Sequence, residues 1–160
     1  MRAWRIAAET RRYTSDDLSG AGAAKAPGRW NNDGEPVVYA ADSIALAVLE
    51  TAAHADPAGL PLNRFVVAID IPDDIWSARQ SLAAQDLPPA WSAIPAGQAS
   101  TNAGSAWLGS LGSAILEVPS VIVPEERVIL INPRHPDTPR ISARTHRSCE
   151  YDKLFRQRDC

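Results

Sequence analysis

An apolar helix that ends in a lone carboxylate, entered from a turn and one short strand, restricts this chain more than any other feature of its sequence. Residues 31–36 (Asn-Asn-Asp-Gly-Glu-Pro) are turn chemistry, with Gly34 free to take a positive φ and Pro36 able to open a strand but not to continue its ladder. Val37, Val38 and Tyr39 form a β-rich run, and Asp42 or Ser43 is placed to cap the helix that follows. From Ile44 to Leu49 every residue is apolar, so the helix is expected to be largely buried. Glu50 comes next. A carboxylate closing an apolar run is costly unless it faces a cleft or a partner. Leu46 and Ala47 precede it on its own face of the helix, and both are expected in the interior. With Arg29 just ahead of the turn, one stretch supplies an arginine, a tyrosine and a half-buried glutamate.

The remaining segments point to a single domain, residues 1–160, of the α+β class. Residues 4–7 read as a first strand, residues 21–25 as a loop or weak helix, and residues 64–71 as the clearest strand. Pro57 and Pro61 fall in a segment, residues 56–61, that ends the central helix and turns the chain. Residues 72–74 start a short helical turn carrying Ile75 and Trp76. Residues 81–97 hold three prolines without periodicity and read as mostly loop, the segment most free to move. A helix is expected over residues 101–111 despite Gly104 and Gly109, with Ala103, Trp107 and either Leu108 or Leu111 on one face. Residues 114–118 and 120–123 read as two strand pieces separated by Pro119, and residues 127–131 as another strand. Short strands mixed with two helices, without regular βαβ alternation, favour α+β over a doubly wound sheet.

Bulk properties exclude several function classes. A formal charge of −3 and the absence of a Lys/Arg run argue against a direct nucleic-acid footprint. The C-terminal basic residues, among them Arg140, Arg144 and Arg147, are interleaved with other types and read as a solvated face. Cys149 and Cys160 would close only a short tail loop, so two free thiols in a reducing cytoplasm are expected. Neither cysteines nor His54, His135 and His146 have metal-ligand spacing, and no metal is expected. No signal-peptide core and no bilayer-length apolar run are present, which points to a cytoplasmic protein without a membrane partner.

The block from Gly-Arg-Trp-Asn (residues 28–31) to Glu50 is followed in order by Val-Pro-Ser (residues 118–120) and Asn-Pro-Arg-His-Pro (residues 132–136). In this the chain resembles the RES family, the toxin half of a bacterial toxin–antitoxin pair. That family is named for an arginine, a glutamate and a serine, here Arg29, Glu50 and Ser120. The likeness runs over nearly the whole chain. It implies a fold like that of ADP-ribosyltransferases, with short mixed or antiparallel strands and a few helices around an NAD-binding cleft. It also implies NAD as substrate, consumed by hydrolysis or by modification of a target protein, and a cognate helix-turn-helix (Xre-like) antitoxin that covers the active site. A homo-oligomer is compatible with this reading.

Cleaving the nicotinamide–ribose bond builds positive charge on the ribose, as in glycoside hydrolysis. A carboxylate can stabilise that charge, a cation can hold the pyrophosphate, and a flat ring can pack on the nicotinamide. Glu50, Arg29 and Tyr39 match these needs in type. Carried over from the family, Glu50 is the principal catalytic residue, with Arg29 and Tyr39 beside it. Arg29, Tyr39 and Ser120 are also the candidate NAD contacts. Each has a bland counterpart: a structural Arg29–Glu50 ion pair, a core tyrosine, a turn serine. Trp30 and Trp107 are most economically core anchors, and His135 a loop residue.

Two departures matter. Val128 stands where the family tends to have asparagine, and Val48 stands where arginine-directed ADP-ribosyltransferases carry the first glutamate of a Glu-x-Glu pair. The second weighs against arginine as an acceptor. Degradation of NAD+ by a toxin is the leading reading. Its rivals are transfer of ADP-ribose to a specific cellular protein and a catalytically silent NAD-binding module.

Overall fold

A computed structural model of the chain describes residues 1–54 and 63–151. Strands β1 (Arg2–Ala8), β2 (Val38–Ala41), β3 (Arg64–Asp70), β4 (Gln80–Ser81), β5 (Ile115–Pro119), β6 (Arg127–Ile131) and β7 (Ser142–Cys149) form one sheet in the order β4-β5-β6-β2-β1-β3-β7. Only β4 and β5 run parallel; every other neighbouring pair is antiparallel. The described α-helices are α1 (Ala21–Lys25), α2 (Ile44–Ala53), α3 (Asp73–Ser77) and α4 (Gln98–Ser110), with short 3-10 turns at Ala84–Asp86, Pro89–Ser92 and Thr138–Arg140. The α+β expectation holds. No described helix is long and apolar enough to cross a membrane.

Successive strand residues point to opposite faces, and directly opposed residues share a face. On one face Ala3, Ala7, Val38, Ala40, Val67, Ile69, Ile129 and Ile131 form a core closed by Ile75 of α3 and by Ile141. The other face carries two clusters. In one, Ile6, Ala41 and Val66 pack against Leu46 and Ala47 of α2. In the second, Val118, Val128 and Leu130 pack against Trp30, Trp91 and, from α4, Trp107 and Leu108. Ala41 of the first cluster is paired with Val128 of the second, so the two meet along that row. The candidate site lies over this seam.

The entry to α2 forms as its sequence dictates. Gly34 adopts φ 79° in the turn, β2 follows, and the Ser43 hydroxyl accepts the Leu46 N–H at 3.1 Å. Serine, not Asp42, is therefore the cap. Leu46 and Ala47 are the helix's buried residues, as their spacing from Glu50 requires, and Glu50 itself is half-buried. The expectation that the helix is largely buried is corrected: Ile44, Val48 and Leu49 are only partly covered and Ala45 is exposed. A helix on one face of a sheet buries a stripe, not its circumference.

Other expectations were met or corrected in detail. Residues 21–25 are a short helix, and α4 begins three residues earlier than expected. Leu108 is the inward residue of α4, while Leu111 caps it in the left-handed conformation (φ 52°) with its side chain exposed. Residues 120–123 are not a strand: the ladder stops at Pro119 and the chain turns there. The loop over residues 81–97 contains two 3-10 turns and is pinned by buried Leu87 and Trp91. Strand β7 was not expected. Six of its eight residues are exposed, so it has no apolar alternation to read. Its basic residues do form a solvated edge. Cys149 is a buried free thiol, whereas the turn assigned to residues 56–61 and the thiol of Cys160 lie outside the described residues.

Candidate active site

Glu50 leaves α2 on the side facing the seam, because Leu46 and Ala47 hold that face of the helix against the sheet. Ser120 follows the last strand residue of β5, fully buried, and donates its hydroxyl to Glu50 Oε1 at 2.6 Å. The same Oγ accepts the N–H groups of Ile122 (3.1 Å) and Val123 (3.0 Å). Ser120 is thus at once a turn residue and the hydrogen-bond donor to Glu50. With two N–H groups oriented at Oγ, its hydroxyl proton is left to point at the carboxylate.

Arg29 stands close enough to Glu50 for that carboxylate to be the leading favourable charge on its guanidinium. Burial lowers the Arg29 pKa, and Glu50 and then Tyr39 push it back up; an arginine with that balance stays charged. The structural ion pair does not form. Among the described residues no salt bridge joins Arg29 to Glu50. Instead Arg29 Nη1 donates to the carbonyls of Trp91 (2.9 Å) and Ala93 (2.8 Å). Those carbonyls spend one corner of the fork and leave the Nε–Nη2 edge without a protein partner among the described residues. That edge can take a phosphate bidentately.

Tyr39 is placed at the same site, with its polar end already engaged. Its hydroxyl donates to Asn31 Oδ1 at 2.8 Å and accepts the Trp30 N–H at 3.0 Å. Gly28 lies against the ring, where a Cβ would come within 2.7 Å of Cζ. Burial raises the Tyr39 pKa well above its ordinary value, against the pull of the Trp30 backbone, so the phenol is a neutral donor. It clamps the turn that carries Arg29.

Sequence reasoning passed over the hub of that clamp. Asn31, buried at 1% exposure, accepts from Gly28 N and Tyr39 Oη and donates Nδ2 to the carbonyls of Ala23, Asn32 and Glu35. The sequence shows it only as turn chemistry and as the end of the Gly-Arg-Trp-Asn string. Helix α4 fixes the turn from the other side: Thr101 Oγ1 donates to Arg29 O at 3.2 Å, and Asn32 and Glu35 both bond the Ser105 hydroxyl. Gly104 faces the Trp30 carbonyl so closely that a Cβ there would sit 1.8 Å from the oxygen. Trp30 stacks on Trp91 at 6.2 Å between ring centroids, and both are buried, as is Trp107. Val128 is buried in the floor among these residues. His135 is a loop residue, and among the described residues no group of three His, Cys, Asp or Glu side chains could hold a metal ion.

A half-buried carboxylate therefore stands near a charged guanidinium without being neutralised by it. Both are held by neutral donors and carbonyls. Such a site favours a substrate that brings negative oxygens to one group and develops positive charge at the other.

Comparison with known proteins gives this arrangement a context. The family profile described as "RES domain" matches residues 2–152. A protein named "Prs ADP-ribosylating toxin" from Sphingobium sp. is 52% identical over 149 residues, covering 93% of this chain and 92% of the relative. A protein named "Toxin Res" from Pseudomonas putida is 39% identical over 135 residues, covering 83% of this chain and 85% of the relative. Another "Toxin Res", from Yersinia enterocolitica, is 38% identical over 125 residues, 78% of this chain and 80% of the relative.

Proposed function

The chain belongs to the RES domain family, and from that premise we propose that it is a toxin enzyme that uses NAD+ as a donor of ADP-ribose. The observation that carries the proposal is the unneutralised pair: Glu50 held by Ser120, and Arg29 with one edge of its fork open. Arg29 takes the pyrophosphate of NAD+ on that edge. Glu50 faces the ribose. As the bond from ribose C1′ to nicotinamide lengthens, its electron pair leaves with the nicotinamide nitrogen and positive charge grows on the sugar. The Glu50 carboxylate stabilises that charge without forming a bond to it. Ser120 keeps the carboxylate aimed, and Tyr39 with Asn31 keeps the Arg29 turn in place.

A protein side chain is the acceptor we favour. The nucleophile attacks C1′ as nicotinamide departs and releases its proton to solvent. The Sphingobium relative supports this choice through its name, an ADP-ribosylating toxin, which makes Prs the first acceptor to test. Hydrolysis, with water as acceptor, is the second reading. It is favoured by the partial exposure of Glu50, which leaves water a path to the reacting carbon. Either reaction drains NAD+ or disables a protein in the cytoplasm, so the producing cell needs a neutralising partner. A helix-turn-helix antitoxin laid over the cleft would serve, and any DNA contact would belong to it. The experiment is incubation of the purified chain with NAD+ labelled in its adenylate half, with and without Prs. Labelled Prs supports transfer, free labelled ADP-ribose supports hydrolysis, and intact NAD+ in both tubes refutes the proposal.

A further inference from the structure

Attack on ribose C1′ by a hydroxyl group, whether of a protein or of water, has to release a proton. Arg29, Tyr39, Glu50 and Ser120 are each unsuited to take it. Glu50 would give up the negative charge that stabilises the sugar, and its Oε1 already accepts the Ser120 hydroxyl. Ser120 Oγ accepts two backbone N–H groups. Tyr39 is a neutral donor with its hydroxyl bonded to Asn31 and Trp30, and Arg29 stays charged.

His54, the residue that closes α2, is built differently. It follows Glu50 by four residues, the spacing that puts two side chains on one helix face. Its Nδ1 lies 2.7 Å from the Glu50 carbonyl oxygen, so the ring is folded back over the turn that presents the carboxylate. A carbonyl only accepts, so Nδ1 carries the hydrogen, and in neutral imidazole Nε2 then bears the lone pair. Nε2 has no partner among the described residues, and His54 is exposed. A histidine that closes a helix on one of its last carbonyls is an ordinary cap. This one caps on Glu50 itself. Its tautomer is thereby fixed, with the basic nitrogen free, one turn from the carboxylate. Holding Nδ1–H on a fixed acceptor is how an imidazole is set up to work as a base through Nε2.

We infer that His54 is the general base of the reaction, its Nε2 taking the proton of the hydroxyl group that attacks ribose C1′. This rests on the NAD+-cleavage reading given above and holds for a protein acceptor and for water. As the new O–C1′ bond forms, the C1′–N bond breaks and its electron pair goes to nicotinamide. The O–H proton moves to Nε2, and the imidazolium then passes it to solvent. Glu50 stays anionic throughout. A hydroxyl is protonated at neutral pH and gains most from such a base, so the acceptor class is a serine or threonine hydroxyl, or water. Elements packed against α2 carry Glu125, Glu126, Arg64, Cys149 and Tyr151, none of which is an imidazole. The histidine on β7, His146, meets Trp4 edge-on at 5.7 Å.

The test follows nicotinamide release from NAD+ with Prs present, which counts turnover to protein and to water alike. It runs from about pH 5 to about pH 8, the range in which imidazole changes charge, with melting curves in parallel. His54→Gln keeps an N–H donor for the Glu50 carbonyl but carries no base. It is expected to melt with the parent, to lose about 100-fold in kcat, and to lose the parent's fall in rate toward acid pH. His54→Gly is expected to regain activity with added imidazole, in proportion to the unprotonated form. His146→Gln is expected to keep the parental rate and pH profile. A glutamine variant with the parental rate and profile overturns the inference. So does a loss that follows a lowered melting temperature and that imidazole does not restore, which leaves His54 a helix cap. NAD+ cleavage at Glu50 stands in both of those cases. A parent that releases no nicotinamide defeats the cleavage reading itself, and the inference with it.

Discussion

Gly104 offers the sharpest way to ask whether α4 holds the Arg29 turn in register. An alanine Cβ there would lie 1.8 Å from the Trp30 carbonyl oxygen, whereas real Cβ atoms essentially never approach within 3.0 Å. Relief requires a movement of at least 3.0 − 1.8 = 1.2 Å, and neither side can give cheaply. The obstacle is backbone, and Trp30 is buried between Trp91 and α4. The displaced carbonyl belongs to the residue after Arg29, whose own carbonyl is held by Thr101. A shift of about 1 Å at a positioning element can cost about 100-fold in rate, and overpacking typically costs about 1–3 kcal/mol of stability. Gly104→Ala is therefore expected to cut nicotinamide release by about two orders of magnitude and to lower the melting temperature. Gly109 supplies the control on the same helix, since a Cβ there meets nothing within 4 Å. Gly109→Ala is expected to raise stability by about 0.5–1 kcal/mol with turnover unchanged. Parental turnover in Gly104→Ala, by a stopped assay of nicotinamide release with melting curves in parallel, would refute the claim that the helix positions Arg29.

Ser120→Ala removes a donor to Glu50 and an acceptor for two backbone N–H groups. A loss of about 1 kcal/mol in denaturant melts and of about tenfold in turnover is expected, and an effect on stability alone would reduce Ser120 to a turn residue. Tyr39→Phe bears on the clamp through alkaline pH. Folding raises the Tyr39 pKa, so its contribution is complete below the unfolded value near pH ~10 and is lost as pH rises toward the higher folded value. Denaturant melts from neutral to alkaline pH should show the parent losing stability more steeply than the phenylalanine variant; equal slopes would show that Tyr39 is not buried as described.

Legibility in the sequence followed from how local each signal is. The turn, β2, the capped helix and Glu50 are neighbours along the chain, and their physics can be read from spacing alone. Leu46 and Ala47 are inside because they share Glu50's face, and Ser43 caps because it stands just ahead of Ile44. The polar edge strand β7 left no trace because neither of its faces is consistently buried, so its pattern has no period. The site was legible in residue type but not in assembly. That two loop carbonyls hold Arg29 and that Gly104 seats the Trp30 carbonyl depend on contacts across long sequence separations, whereas the five hydrogen bonds of Asn31 are local and depend on a turn geometry that residue type alone does not fix. Tyr39 shows the limit most plainly. Its ring type suggested a stacking surface, while its hydroxyl turned out to be a clasp.

The central claim is that the Glu50 charge, not merely its shape, cleaves NAD+. Glu50→Gln isolates that charge, because the amide oxygen can still accept the Ser120 hydroxyl and the fold is preserved. Nicotinamide release should fall by about 100- to 1,000-fold, the scale of removing one preorganised electrostatic group, with an unchanged melting temperature and an NAD+ affinity close to the parent's. A glutamine variant that releases nicotinamide at the parental rate would contradict the account and move the chemistry away from Glu50.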